Sequence, residues 1–303
     1  MKKPLLLLSL FAGALFARPV AAQYNAAAGR SAPTVSVAAD EVQKDGSIVH
    51  RTIERKVAGD RYGNALGNQN DLARDGAFEG QTIAVLQFYE FPFEQPRAAL
   101  KEKGFSVYRW LNVPPSAEEL KRSLGKACQL WIISGDRRLL GPEHLAVIKA
   151  FFDSGHGVYI WGDNQPYYAD ANYVAQALVG TTMLGDVPGD QVMPLQQKPY
   201  HRGLLPNHLL STGLEHLYEG ITIATIQPSQ TLRPLLYGSA DNLVAAYYDT
   251  NGRRAILDGG FTRLYNKWDT AGTGRYVKNA AAWLSNVERF GSHAPVEGPH
   301  ASR

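Results

Sequence analysis

The 303-residue sequence contains a single cysteine, Cys128. One thiol cannot form an internal disulfide, and it excludes the CxxC pairs that hold structural zinc. The sequence also lacks an HExxH motif, and its eight histidines show no spacing typical of a metal site. We therefore expect no metal and assign no cofactor. Cys128 falls within an apolar run, which favours an inert buried thiol over a catalytic one.

Basic clusters are also missing. The net charge is only +3, and no group of lysines and arginines is interleaved with aromatic residues. Such clusters are the electrostatic signature of nucleic-acid and anionic-membrane binding. Neither kind of partner is expected.

Long apolar runs are confined to the start of the chain. Lys2 and Lys3 precede the apolar residues 5–16, and small residues at 20–22 form a cleavage site. This run is too short to span a bilayer, so the pattern predicts a signal peptide over residues 1–22. The mature protein is expected to be periplasmic or secreted, with no transmembrane segment after cleavage.

The most informative segment is residues 154–167. Residues 158–161 are β-branched and aromatic and predict a buried strand, which breaks into turn chemistry at residues 162–164. Pro166 is expected in the first turn of a helix over residues 167–178. In a parallel sheet, this strand–turn–helix elbow lies at the carboxyl edge, where ligands bind.

The same alternation extends through most of the chain. Strands are predicted at residues 83–88, 105–111, 130–134 and 158–161, with helices between them, and further strands at residues 221–226, 232–237, 243–249 and 254–257 before a last helix at residues 274–287. This order predicts an α/β fold: a flavodoxin-like, doubly wound and mostly parallel sheet with an antiparallel extension and helices on both faces.

Four regions follow from composition. After the signal peptide, residues 23–80 form a polar N-terminal arm with one helix- or strand-like stretch at 48–57, residues 81–290 form the folded domain, and residues 291–303 form a disordered tail. Within the domain, residues 181–220 show no clear element. We expect this excursion to lie over or beside the site, with His201 or Arg202 reaching in.

Several phrases resemble the class I glutamine amidotransferase-like superfamily, a flavodoxin-like group that includes noncatalytic and trehalose-utilisation-type relatives. The resemblance covers roughly residues 81–288 and rests on residues 131–135, 157–163, 207–214, 257–263 and 274–280. The last two phrases are similar to a secreted, uncharacterised branch. The resemblance implies the fold, with Gly135 on the oxyanion side of the site.

The catalytic residues of that superfamily are not matched here. Active members carry a cysteine on the elbow and a histidine after a late strand, whereas this chain has Gly162 or Asp163 on the elbow and Asp258 after the late strand. Acyl transfer from glutamine needs a nucleophile and a base within hydrogen-bond reach. We therefore expect no glutaminase activity.

Polar residues that follow the strands are the candidate ligand-binding residues: Gly135, Asp136, Asp163, Asn164, Tyr167, Asp258, Thr262 and Arg263. The backbone N–H groups that follow Gly135 could bind an anion. Structural roles are open for the others, since Asp163 and Asn164 suit turns, Tyr167 suits packing, and a carboxylate near Arg263 suits an ion pair. A shared crevice at the switch point of the sheet requires Asp163 and Asp258 to lie within about 15 Å.

Three functional hypotheses remain at this point. The leading one is a noncatalytic domain that binds a small polar ligand, or an envelope protein, at the carboxyl edge of the sheet. The second is a hydrolase that uses Asp163 as nucleophile or general base, with His156, His201 or His208 as the mobile partner. The third is a structural subunit of an envelope complex, which would expose an apolar patch.

Overall fold

The computed structural model describes residues 34–43, 47–56, 71–268 and 272–291. The predicted signal peptide and residues 292–303 of the predicted tail lie outside these ranges. Within the predicted arm, β1 (Thr34–Val42) and β2 (Ile48–Lys56) form an antiparallel hairpin. The stretch predicted at 48–57 is therefore a strand, whereas β1 has no recognisable sequence signal.

The first half of the domain alternates strands and helices as predicted. Its elements are β3 (Thr82–Gln87), α1 (Glu94–Glu102), β4 (Ser106–Leu111), α2 (Ala117–Leu124), β5 (Gln129–Ile133), α3 (Pro142–Asp153), β6 (Gly157–Trp161) and α4 (Ala169–Val179). Ser116 caps α2 by accepting a hydrogen bond from the Glu119 N–H at 3.2 Å. Helix α4 begins three residues after Pro166, so the prediction that Pro166 lies in its first turn is wrong.

The second half is richer in strands. Its elements are β7 (Met183–Pro188), β8 (Val192–Pro194), β9 (Gly203–Leu204), β10 (His216–Tyr218), β11 (Thr222–Ile226), β12 (Arg233–Tyr237), β13 (Leu243–Thr250), β14 (Arg253–Asp258), α5 (Thr273–Leu284) and α6 (Val287–Phe290). Short 3-10 helices occur at Leu209–Ser211 and Phe261–Leu264.

The main sheet has eight strands in the order β4-β3-β5-β6-β14-β13-β12-β9. The five strands from β4 to β14 are parallel, and β13, β12 and β9 continue the sheet antiparallel. The parallel part has the flavodoxin-like strand order, with the reversal of direction between β3 and β5. The predicted fold class is confirmed.

Helices cover both faces of this sheet. Side chains alternate along each strand, so Trp131 and Tyr159 enter the core beneath α1 and α5, while Leu130 and Val158 enter the core beneath α2, α3 and α4. Every residue of β5 and β6 is buried. This explains why these strands are nearly continuous apolar runs rather than alternating ones.

The excursion at residues 181–220 differs from the prediction of no clear element. It contains β7 to β10, of which β8 pairs with β10, and β7 pairs with β11. The strand predicted at 221–226 is therefore present as β11, but it pairs outside the main sheet. Strands of two or three residues have too few positions to show a period, which is why no sequence pattern indicates them.

Residues 71–80, the end of the predicted arm, pack against the domain. The buried Lys103 ammonium donates to Asp71 Oδ2 at 3.0 Å and to Asp75 Oδ1 at 2.9 Å. Phe78 stacks on Phe105 with ring centroids 4.5 Å apart. The packed unit therefore begins before the predicted boundary at residue 81, and it includes residues 71–80.

Candidate functional site

Asp163 and Asp258 lie close together at the carboxyl edge of the sheet. Asp258 ends β14 and is paired with Trp161 of β6, and the Gly162 N–H donates to the Asp258 carbonyl at 2.8 Å. Adjacent strands lie about 4.8 Å apart and two residues reach at most about 7 Å, so the two aspartates are within about 12 Å. This meets the 15 Å requirement for a shared site, a limit of about the span of a small-molecule pocket.

Asp258 is the centre of a buried polar network. Its Oδ2 accepts hydrogen bonds from Arg263 Nη1 at 2.8 Å and from the Tyr276 hydroxyl at 3.2 Å. The Tyr159 hydroxyl donates to the Tyr276 hydroxyl at 2.9 Å, and the Gly260 N–H donates to Asp258 Oδ1 at 3.1 Å. The side chains of Asp258, Arg263, Tyr276 and Tyr159 are all fully buried, so this ion pair cannot reach a ligand as it stands.

Burial governs the protonation of this network. Desolvation raises the pKa of Asp258 to about 6, opposed mainly by the Arg263 guanidinium. Desolvation also raises the pKa of Tyr159 and of Tyr276 well above ordinary values. The tyrosines therefore act as neutral donors, and the Asp258–Arg263 pair has the features of a structural ion pair, one of the alternatives that the sequence left open.

Asp163 has a different environment. Its side chain is only 1% exposed, and its Oδ1 has no hydrogen-bond partner among the described residues. Desolvation raises its pKa well above the ordinary value, while the Asn164 N–H and the Arg263 charge act in the opposite direction. An unpartnered buried carboxyl oxygen costs about 1–3 kcal/mol, so this atom requires an explanation.

Aromatic side chains cover the elbow. We call Tyr89, Phe91, Tyr167, Phe261 and Tyr265 the aromatic cover. The Tyr89 ring lies 5.1 Å from Tyr167 and 5.2 Å from Phe261, and the Phe91 ring lies 4.6 Å from Tyr265. Desolvation raises the pKa of Tyr265, and the Asp163 carboxyl contributes to this shift, which places the two groups near each other. The three tyrosines are partly exposed, whereas the two phenylalanines are buried.

Thr262 joins the site to the excursion. Its hydroxyl accepts a hydrogen bond from the Ile221 N–H at 3.0 Å, and Arg263 Nη2 donates to the Glu219 carbonyl at 2.7 Å. The excursion therefore packs beside the site through residues 219–221. The residues predicted to reach in do not do so, because His201 and the Arg202 N–H lie beside Asp241, at the turn between β12 and β13.

The loop after β5 is closed by an internal carboxylate. Asp170 of α4 accepts hydrogen bonds from the Leu139 N–H at 3.0 Å and the Leu140 N–H at 2.9 Å. Gly135 packs against the loop after β3, because a Cβ there would lie 2.7 Å from the Phe88 carbonyl oxygen. Asp136 is exposed. The N–H groups of residues 139 and 140, part of the loop proposed to bind an anion, already bind one from within the chain.

The switch point lies one strand away from its predicted place. Strand order reverses between β3 and β5, whereas Asp163 and Asp258 follow β6 and β14. The prediction that these two segments flank the switch point is therefore wrong. Phe88 and Gly135 are in contact there, so the loops after β3 and β5 fill the crevice that the fold would otherwise leave.

The predicted residues thus separate into two groups. The structure brings together Asp163, Tyr167, Asp258, Thr262 and Arg263, with the Asp163 N–H donating to the Tyr167 carbonyl at 3.1 Å. Gly135 and Asp136 follow the neighbouring strand. Asn164 is partly exposed beside Asp163, and its side-chain amide donates to the Gln165 carbonyl at 3.1 Å.

No base is seen beside Asp163 in the described part of the chain. His156 precedes β6 and so lies at the opposite edge of the sheet, His201 lies beside Asp241, and His208 stacks on Tyr247 at 4.4 Å. Burial raises the pKa of the Cys128 thiol to about 11, which makes it a poor nucleophile. Among these residues, no ionised nucleophile is brought together with a base.

Sequence reasoning missed the tyrosines of the site. The sequence places Tyr276 on the inward side of the last helix, but its hydrogen bond to Asp258 was not anticipated. A tyrosine on a buried face needs a hydrogen-bond partner, and this was the available signal. Tyr89 and Tyr265 lie in loops, where no period shows which way a side chain points.

Metal ligands and membrane spans can be assessed only for the described ranges. Those ranges contain no group of three or more His, Cys, Asp or Glu side chains that could hold a metal ion. They also contain no helix of sufficient length and hydrophobicity to cross a membrane.

Comparisons with known proteins add few constraints. No protein-family model matches the sequence, and no curated protein matches it. Similar solved structures include a candidate GMP synthase subunit from Thermoplasma acidophilum, at 10% identity and a TM-score of 0.48, covering 70% of this chain and 97% of that one. PurLQS from Thermotoga maritima is similar at 10% identity and a TM-score of 0.42, covering 68% and 99%. A candidate ThuA-like protein from Parabacteroides merdae is similar at 14% identity and a TM-score of 0.42, covering 68% and 90%.

Proposed function

We propose that this chain is an exported, noncatalytic domain of the class I glutamine amidotransferase-like superfamily that binds a small polar ligand at the carboxyl edge of its sheet. The supporting observation is Asp163, whose buried Oδ1 has no partner within the described ranges. A ligand hydroxyl or amide would supply the missing hydrogen bond. The signal-like sequence at residues 1–22 supports export and a periplasmic or secreted location.

The surroundings of Asp163 suit a hydroxyl-bearing ligand such as a sugar. The partly exposed rings of Tyr89, Tyr167 and Tyr265 offer flat apolar surface with hydroxyl groups at the rim. Aromatic rings with polar tips bind ligands that are apolar on one face and polar at the edge. Because Asp163 is almost fully buried, the Tyr167 ring must turn aside when the ligand enters.

A hydrolase that uses Asp163 has less support. A nucleophile or general base must be ionised and within hydrogen-bond reach of the reacting atoms. Burial raises the pKa of Asp163 and thereby favours the neutral carboxylic acid. In a hydrogen-bonding role the neutral acid is useful, because its O–H can donate to a ligand oxygen.

The experiment is a thermal-shift screen of sugars, amino acids and cell-wall fragments on the protein without its signal peptide. Wild type is compared with Asp163→Asn, which keeps the shape of the side chain but changes its hydrogen-bonding groups. Asp136→Asn, an exposed aspartate at the same edge, is the matched control. We expect a ligand to raise the melting temperature of wild type and Asp136→Asn, and to affect Asp163→Asn much less.

Two outcomes would contradict this proposal. Equal stabilisation of wild type and Asp163→Asn by every hit would show that the elbow is only a turn. Turnover of an ester, amide or glycoside by wild type that is lost in Asp163→Asn would establish the hydrolase instead.

A further inference from the structure

We propose a second ligand site at the opposite edge of the sheet, which binds an alkyl carboxylate in the groove between α2 and α3. We call this the α2–α3 groove and define it by Lys121, Leu124, Ala146, Val147, Ala150 and Phe151. The cavity has a volume of about 430 Å³. That volume lies within the range of about 300–1,000 Å³ that is typical of small-molecule sites.

The walls of the groove are mainly aliphatic. Leu124 and Phe151 are buried at its floor, and Ala146 and Ala150 lie one helical turn apart on the exposed side of α3. Small alanines at both positions leave the floor accessible between the two helices. An alkyl chain that covers this floor would remove apolar surface from water, worth about 0.8 kcal/mol for each buried CH₂ group.

His156 closes one end of the groove. Its ring is stacked between Phe151 and Phe290, with both centroid distances 4.5 Å, and its Nδ1 is hydrogen-bonded to Ser154 Oγ at 2.8 Å. The same ring lines a second cavity of about 240 Å³ on its other side, beside Lys126. Polar groups held in place by packing at the end of an apolar groove are typical of a site that fixes the head of an amphipathic ligand.

The charges around the groove favour an anionic head group. Lys121 is exposed at its rim, and no Asp or Glu is found among its lining residues. The carboxylate on the next turn, Asp153, is already paired with Lys149 and Arg253. Apolar walls with an uncompensated cation at the rim therefore complement a carboxylate that carries an alkyl chain.

This site is independent of the one proposed at Asp163. His156 immediately precedes β6 and Asp163 follows it, so the two sites lie at opposite ends of the same strand. A ligand that contacts one site cannot touch the other. Failure of either proposal leaves the other unaffected.

Binding of decanoate to the protein without its signal peptide, measured by isothermal titration calorimetry, tests the inference. We expect saturable binding to wild type, with a shift of the His156 ring signal in proton NMR. Ala150→Phe fills the groove from the exposed side of α3 and should weaken binding more than about tenfold. Lys121→Met keeps the aliphatic stem but removes the charge, and should weaken binding about two- to fivefold, as expected for a solvent-exposed ion pair.

The controls separate a built site from unspecific adsorption. Lys101→Met removes an exposed charge on α1, outside the groove, and should bind decanoate as wild type does. Decanol should bind more weakly than decanoate. Absence of binding to wild type, equal affinity for Ala150→Phe, or equal affinity for decanol would each overturn the proposal. A change in the oligomeric state of Ala150→Phe without decanoate binding would assign the groove to a contact between copies instead.

Discussion

Asp163 and Asp258 follow neighbouring strands, yet only Asp258 is paired with a cation. Arg263 Nη1 lies 2.8 Å from Asp258 Oδ2, whereas Asp163 Oδ1 has no partner in the part of the chain that the structure describes. Both carboxyl groups are almost completely removed from water. Two chemically identical side chains on one sheet edge are therefore suited to different roles, one to stability and the other to binding.

The pH dependence of stability should identify Asp163. Burial raises its folded-state pKa above the unfolded value, so its contribution to stability is fully present below about pH 4 and is lost as the pH rises through the folded-state pKa. Asp163→Asn removes this dependence. We expect the free energy of unfolding of wild type, relative to Asp163→Asn, to fall between about pH 4 and pH 8, measured by urea denaturation.

The size of that fall depends on how far the folded-state pKa lies above the unfolded value. A tenfold change in the acid dissociation constant corresponds to about 1.4 kcal/mol. Asp258, with a pKa of about 6, contributes in the same direction between about pH 4 and 6 in both proteins and cancels in the comparison. A stability difference between the two proteins that does not vary with pH would show that Asp163 titrates normally.

Removal of the Arg263 charge should be strongly destabilising. Arg263→Met leaves the Asp258 carboxylate buried without its cation, which typically costs about 3–5 kcal/mol. The double variant Asp258→Asn with Arg263→Met should lose less, because no unpaired charge remains. Urea denaturation of the wild type, the single variant and the double variant measures both effects. Equal losses in the two variants would mean that packing, rather than charge, dominates at this position.

Two glycines should respond differently to alanine. A Cβ at Gly157 would lie 2.3 Å from the Leu284 carbonyl oxygen, so Gly157→Ala must displace α5 from the sheet and should cost about 1–3 kcal/mol. A Cβ at Gly125 would meet its nearest atom at 3.5 Å, and its φ of −63° suits alanine. Gly125→Ala should therefore be neutral or stabilising by up to about 1 kcal/mol. Thermal unfolding of both variants is the measurement.

Lys103 should hold residues 71–80 on the domain. Lys103→Met removes the buried ammonium that bridges Asp71 and Asp75, although Asp71 keeps its bond from Arg275 Nε at 2.7 Å. We expect a loss of about 2–4 kcal/mol, since one buried ion pair is broken and another remains. Limited proteolysis should then cleave near Asp75 earlier than in wild type. Lys101→Met, two residues away and exposed, should be cleaved as wild type is.

The parallel strands could be predicted because their sequence signals are local. Residues 158–161 and 130–134 are short apolar runs flanked by turn residues, and burial on both faces requires that composition. The grouping of Asp163 with Asp258 follows from the same argument, since both come directly after predicted parallel strands. These inferences need only the order of elements along the chain.

What could not be predicted depends on contacts between distant residues. The aromatic cover unites Tyr89, Tyr167 and Tyr265 from three separate loops, and loop side chains have no period that indicates their direction. Asp170 was expected to be solvated or to contact a ligand, because one sequence cannot show that residues 139 and 140 present their N–H groups to it. The elbow was therefore predicted in the right place, but with too open an environment.

The contact between Asp170 and the loop after β5 determines which anions can compete there. A carboxylate fixed on α4 meets the Leu139 and Leu140 N–H groups without having to be recruited from solution. For a tethered group, the effective local concentration is about millimolar even with a flexible tether and higher when the scaffold is rigid. Free sulfate or phosphate at lower concentrations is thus at a disadvantage, which makes this loop indifferent to the anion content of its surroundings.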